Sequence, residues 1–328
     1  MQRRDYLLAL AGVSGLAGCS DGGSSASASD AETATPTSAP TSTPAATRTA
    51  TVTPEPTPTP DSRSLAPYRS WLVAPTPVTP YTYEFTHLSL SAVRADADES
   101  FAESLNTYWR QRTESYFGFE VPVSSIEAVL TVNHSSVANE SYRVAGGSFD
   151  PAALRGALDD AGFAADGYVD DLQRFTRTEE GQLRVVGLHP DVLVSVRTDA
   201  SATAPLERAV EQHAAGEIRT DEDEDEGLAL LVDHLGNADY VTGRELQPAA
   251  EDYALSKAVA TGRRLDVRGG ATWTERTYVL PPEATIDRAA VEEEIRLRHV
   301  GQPVEEFRRE GRFVTVAGEV ENSLIRLL

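Results

Sequence analysis

The sequence predicts an α+β protein, two ferredoxin-like halves of βαββαβ type with antiparallel sheets, carried behind a disordered Ser/Thr/Pro stalk. Three observations predict it. The 328 residues exceed one average domain, and 40% of them are hydrophobic, enough to bury a sizeable core. Composition changes abruptly near residue 66, from a tract without aromatics to a chain rich in them. Beyond that point, period-2 and period-3.6 apolar patterns alternate in the order β-α-β-β-α-β and then partly repeat.

Residues 1–19 read as an export signal. Arg3 and Arg4 precede an apolar run from Tyr6 to Ala17. That run is shorter than the roughly 18–20 residues a bilayer span requires. The arginine pair resembles the twin-arginine signal, which implies the Tat translocase as a partner during export. Leu16, Ala17 and Gly18 before Cys19 resemble a lipobox. Cys19 would then become the mature first residue and attach the protein to the membrane through a lipid, on the extracellular face; two acyl chains make that anchorage durable. Cys19 is the sole cysteine of the sequence, so an intramolecular disulfide is excluded.

Residues 20–66 contain 11 Thr, 9 Ser and 7 Pro. Such a tract has too little apolar surface to offset the entropy of ordering and favours polyproline II, so it is expected to be a spacer. The same composition fits an O-glycosylated stalk.

The folded part is expected over residues 67–180 and 181–328. Tyr81–Arg94 alternates as a strand with a bulge near Leu88-Leu90. Phe101, Leu105, Tyr108, Trp109, Arg112 and Tyr116 fall on one helical stripe that stops at Gly118. Ile126–Asn133 and Ser141–Ala145 read as strands. Asp150-Pro151 then caps and opens a helix that ends at Gly162. Tyr168–Thr176 follows as a weak strand, then a hairpin of Leu183–Leu188 and Val192–Arg197. Two amphipathic helices carry Leu206, Ala209, Val210 and His213, and Leu228, Leu231, Val232 and Leu235. Tyr240–Gly243, Arg264–Arg268, Thr272–Leu280 and Phe313–Val320 complete the strands, with a helix at Ile286–His299.

The segment from Gly146 to Leu154, with Phe149-Asp150-Pro151 at its centre and Ala157-Leu158 and Gly162-Phe163 following, resembles one found in uncharacterised Tat-exported lipoproteins of halophilic archaea. A similar Phe-Asp-Pro and capped-helix pattern occurs in bacterial surface proteins of unknown function. The resemblance spans about residues 81–320. Its motif is structural, so it implies location and fold and carries no catalytic residue over.

Charge agrees with that source. The sequence has 51 acidic and 29 basic side chains, a net charge of −22, and Lys257 is its single lysine. Such a surface suits molar salt, where screening shortens to roughly 3 Å, and it argues against nucleic acid as a partner. The chemistry-bearing residues point nowhere in particular. The six histidines show neither HxH nor HExxH spacing, which speaks against a metal. His213 reads as an edge-of-core residue and the other five as loop or surface groups. The run from Asp221 to Glu226 places Glu and Val where a calcium loop needs Gly and Glu, so it reads as a solvated charge run. No GxSxG or phosphate-cradling loop occurs, so neither a catalytic residue nor a cofactor is expected. Asn133-His134-Ser135 and Asn139-Glu140-Ser141 are sequons, and both asparagines are expected in a loop. The function expected is a non-enzymatic binding or scaffolding domain at the cell envelope. A solute-binding lipoprotein of a transporter and a secreted hydrolase with an unadvertised site are the alternatives.

Replacing both Arg3 and Arg4 with Lys is expected to block export, because the twin-arginine receptor reads guanidinium geometry as well as charge. Cys19→Ser should leave export intact and abolish incorporation of radiolabelled lipid. Normal surface levels of the double Lys variant, or lipid retained without the thiol, would overturn these assignments.

Overall fold

The computed structural model describes residues 68–72, 83–134, 140–200, 204–215, 226–246, 254–284, 289, 291–293 and 304–322. The export signal, the lipobox, the stalk and Asn139 lie outside these residues. So do most of the helix expected over Ile286–His299 and the acidic run before Glu226.

The chain begins with β1 (Tyr83–Ser89), α1 (Leu90–Asp96), α2 (Glu99–Phe117), β2 (Ile126–His134), β3 (Ser141–Gly147) and α3 (Pro151–Asp160). A meander follows: β4 (Ala164–Val169), β5 (Leu172–Glu179), β6 (Gln182–Leu188) and β7 (Val192–Asp199). Then come α4 (Pro205–Ala215), α5 (Glu226–Leu235), β8 (Tyr240–Glu245), β9 (Ala260–Arg268), β10 (Ala271–Val279), β11 (Glu306–Glu310) and β12 (Phe313–Glu321). These strands form one open antiparallel sheet in the order β11-β12-β10-β9-β8-β1-β2-β3-β7-β6-β5-β4.

The α+β class and the antiparallel sheet match the sequence reading; the two ferredoxin-like halves do not. A ferredoxin-like half returns the chain through one helix, so that its first two strands run parallel with another strand between them. Here β2 lies directly beside β1 and antiparallel to it, from Tyr83 opposite His134 to Ser89 opposite Ala128. The cause is α1. The sequence reading continued the first strand to Arg94, but the strand ends at Ser89, whose hydroxyl accepts a hydrogen bond from Ala92 N at 3.4 Å, capping a helix that buries Leu90 and Val93. Two helices in place of one bring the chain back to the end of β1 that it left. The weak strand expected at Tyr168–Thr176 is the β4–β5 hairpin, turning at Asp170 with φ 52°. The sequence reading also missed β11.

Alternation along β1 sends Tyr83, Phe85 and His87 to one face and Glu84, Thr86 and Leu88 to the other. The first face meets α4, α5 and the 3-10 turn Arg69–Trp71 in a core containing Leu206, Leu231 and Val241. The second meets α1, α2 and α3, burying Leu90, Trp109 and Leu158. The result is helices on both sides of a sheet, with a smaller core at the β10–β12 end.

Two glycines set how closely the first face packs. Gly243 and Gly262 are directly paired across β8 and β9. A Cβ on Gly243 would stand 2.3 Å from the ring of fully buried Phe85, and one on Gly262 would stand 2.6 Å from Leu235 of α5. Gly243→Ala is therefore expected to destabilise the protein by about 1–3 kcal/mol in chemical denaturation, as overpacking does, and Phe85→Leu in the same chain should recover part of the loss. Unchanged stability of the single variant would contradict this packing.

Candidate functional site

The second face of the sheet is amphipathic along its strands, and the pairing register makes it so. Leu265, Tyr240, Leu88, Val129 and Ala145 stand opposite one another on adjacent strands as an apolar row. Two residues further along, the row reads Arg276, Arg263, Thr242, Thr86, Thr131 and Arg143. The next row includes Thr261, Arg244, Glu84 and Asn133. One side is a hydrophobic floor and the other a floor of threonines and arginines.

Helix α2 spans the strands above this face. Its start is pinned to the β9–β10 turn, where Asp98 N donates to Gly269 O at 3.2 Å and Gly269 N to Asp96 O at 2.6 Å. Asp98 also caps the helix, accepting from Phe101 N at 2.9 Å. Its end lies over β3 and β6, where Arg143 donates to Tyr116 O and Gly118, at φ 88°, packs against the Arg184 side chain. Nineteen residues span about 28 Å. The six strand spacings from β9 to β6 come to about 29 Å, so the helix length matches the width of sheet between its two attachments. Arg94 fixes its height: its guanidinium donates to Asn106 Oδ1, Ile126 O and Val123 O, each at 2.9 Å.

The helix buries Leu105, Trp109, Thr113 and Phe117, while Phe101, Tyr108 and Tyr116 are half-buried beside them. Of the stripe expected from sequence, Arg112 departs: it is exposed, with its guanidinium 4.9 Å from the Tyr108 ring centre. Threonine is short, so the row Thr242, Thr86 and Thr131 does not fill the space beneath the helix. A cleft of about 620 Å³ remains, within the size range of small-molecule sites. Its roof and inner wall are Phe101, Leu105, Tyr108, Trp109, Leu88 and Val129. The threonines, with Arg244, Arg263 and Arg276, form its polar side, and Glu84 is the one carboxylate among the described residues lining it.

Its electrostatics lean cationic. Arg263 and Arg276 are directly opposed like charges, and burial together with Arg276 holds the Arg263 guanidinium below its usual range. Arg263 Nε donates to Thr274 Oγ1 at 3.2 Å. Burial pushes the Tyr108 phenol up to about 12, with Tyr116 adding to it, and burial raises Tyr240 as well. Both phenols are therefore neutral hydrogen-bonding groups at neutral pH. Trp109, 4% exposed, carries an indole N–H that is buried without a hydrogen-bond partner. An orphan donor of that kind costs about 1–3 kcal/mol unless something accepts from it. The cleft thus offers an aromatic roof and guanidinium groups.

Of the residues singled out in the sequence, Asn133 is brought into this cleft. It belongs to β2, opposite Glu84 and Ser141, and not to a loop. Among the histidines, His213 stacks on Trp71 at 3.6 Å, an edge-of-core position as expected. Two expected at the surface are not there. His87 is 5% exposed against the Tyr68 ring, and burial lowers it to about 4. His234 stacks on Phe313 and lies 3.7 Å from the buried Glu275 carboxylate. Sequence reasoning missed Arg263 and Arg276. Their signal was there: Thr and Arg alternate at Thr261 and Arg263, and at Thr274 and Arg276.

No family model matches the chain, and no curated protein does. Among solved structures, crystal form III of TP0453 aligns over 77% of this chain and 93% of that one, at 10% identity and a TM-score of 0.48. Crystal form I aligns at 10% identity and 0.44, and crystal form IV at 11% and 0.43. Likeness at this level carries no function to this chain.

Proposed function

We propose that this protein is a lipid-anchored, non-enzymatic binding domain on the outer face of the cell membrane, and that the cleft beneath α2 holds an amphiphilic molecule with an anionic head. The observation that carries the reading is the amphipathic lining. An aromatic roof of Phe101, Tyr108 and Trp109 faces a floor bearing Arg244, Arg263 and Arg276. An apolar ligand would bring no acceptor to the guanidinium side of the cleft, and a wholly polar one would leave the aromatic wall wet. A molecule with both characters satisfies both sides. The location rests on Arg3, Arg4 and the lipobox cysteine Cys19, read from sequence. The binding role also accommodates the solute-delivery alternative, because capture in a cleft is common to both.

An anilinonaphthalene sulfonate dye, anionic and aromatic, should bind the full chain with blue-shifted emission. Decanoate should displace it at about tenfold lower concentration than decanol, which has the same chain and no charge, since a charge-assisted contact is worth roughly 1.5–3 kcal/mol. Arg263→Gln should erase the difference while leaving the circular dichroism spectrum unchanged. Equal displacement by both compounds, or none by either, would contradict the reading.

A further inference from the structure

A second cationic site lies on the same sheet face, beyond the end of α2. Arg177, Arg184 and Arg197 occupy directly opposed positions on β5, β6 and β7, and Arg143 on β3 lies beside them. Like charges in register across strands oppose folding. In a sequence with 51 acidic side chains, four arginines at such positions stand out.

The two outer arginines have structural work. Arg143 lies over the Tyr116 ring at 4.8 Å and donates to Tyr116 O, at the C-terminal end of α2. Arg177 lies over the Phe163 ring at 4.8 Å, donates to Ala161 O at 2.7 Å beyond the end of α3, and pairs with Glu179 at 3.2 Å. The central pair has less. Arg197 is exposed and donates through Nε to the neutral Gln182 Oε1 at 2.6 Å. Arg184 Nη1 is buried with no hydrogen-bond partner. These side chains, with Glu179, Glu180 and Gln182, line a depression of about 130 Å³, room for about four waters at roughly 30 Å³ each. Burial and the three neighbouring arginines also lower Arg184 to about 10, as expected of a guanidinium short of counter-charge.

We infer that this arginine row binds a tetrahedral oxyanion of charge two, a phosphate or sulfate group, held between Arg184 and Arg197 with Arg177 at its side. Guanidinium forks match such oxygens in pairs, the volume suits the group alone, and the anion would supply negative charge where three arginines stand in register. The site is independent of the cleft. The group arrives either as a free ion or as a monoester on a larger molecule.

Isothermal titration of the full chain in dilute buffer, with inorganic phosphate, sulfate and glycerol phosphate in separate runs, tests this. Saturable binding is expected. Tighter binding of the monoester would identify a pendant group as the source, and tighter binding of the inorganic ions a free one. Arg197→Gln, at an exposed position, should weaken binding at least about tenfold through loss of one charge-assisted contact. Glu179→Gln removes a competing carboxylate and should tighten it, with circular dichroism reporting that both variants stay folded. Absence of saturable binding to any of the three, or affinity indifferent to both substitutions, would overturn the inference.

Discussion

The pairing of β1 with both β2 and β8 is the constraint on which the rest of the structure depends. It joins Tyr83–Ser89 to Tyr240–Glu245, segments far apart in sequence, and so converts two meanders into one sheet. A slip of one residue at this seam would send Phe85 and His87 to the wrong face. The packing against that slip is specific: Phe85 lies over Gly243, whose missing Cβ makes the space, and Gly262 beside it admits Leu235. Every row that crosses the second face is counted from this register.

Chemistry follows from those rows. With β1 fixed, Thr86 lines up with Thr131 and Thr242, and Arg263 and Arg276 continue the line. A transverse helix above short side chains leaves a cleft, and α2 is transverse because Gly269 holds its start while Arg143 and Arg184 meet its end. The arginines are informative against a background of −22. An acidic surface repels anions at long range, so a site for an anionic group must concentrate cations locally and bury them partly, where screening by salt is weaker. The cleft and the β5–β7 row both do this.

Much of the fold was legible in the sequence. Asp150-Pro151 marked α3, the Phe101–Tyr116 stripe marked α2, and alternation marked most strands to within a few residues. Two features were not. α1 was hidden because His87, Leu88 and Leu90 continue a strand-like pattern into a helix of seven residues, too short to show its own period. That one error reversed the direction of β2 and produced the ferredoxin-like reading. The site was hidden for a different reason. Its residues come from α2, β1, β2, β8, β9 and β10, and no local motif joins them; Arg263 falls in line with Thr86, through Thr242, only in the register of the paired sheet. Trp109 was read correctly as part of a buried stripe, but its unpartnered N–H belongs to the tertiary structure.

Amide hydrogen exchange of the full chain tests the continuous sheet most directly. The slowest amides are expected in β1, β2 and β8, at the centre, with protection falling toward the edge strands β4 and β11. Were β1 and β8 to exchange as fast as the edges, with slow amides confined to two separate groups around β6 and β10, the sheet would be two weakly joined halves and the cleft would lose its floor.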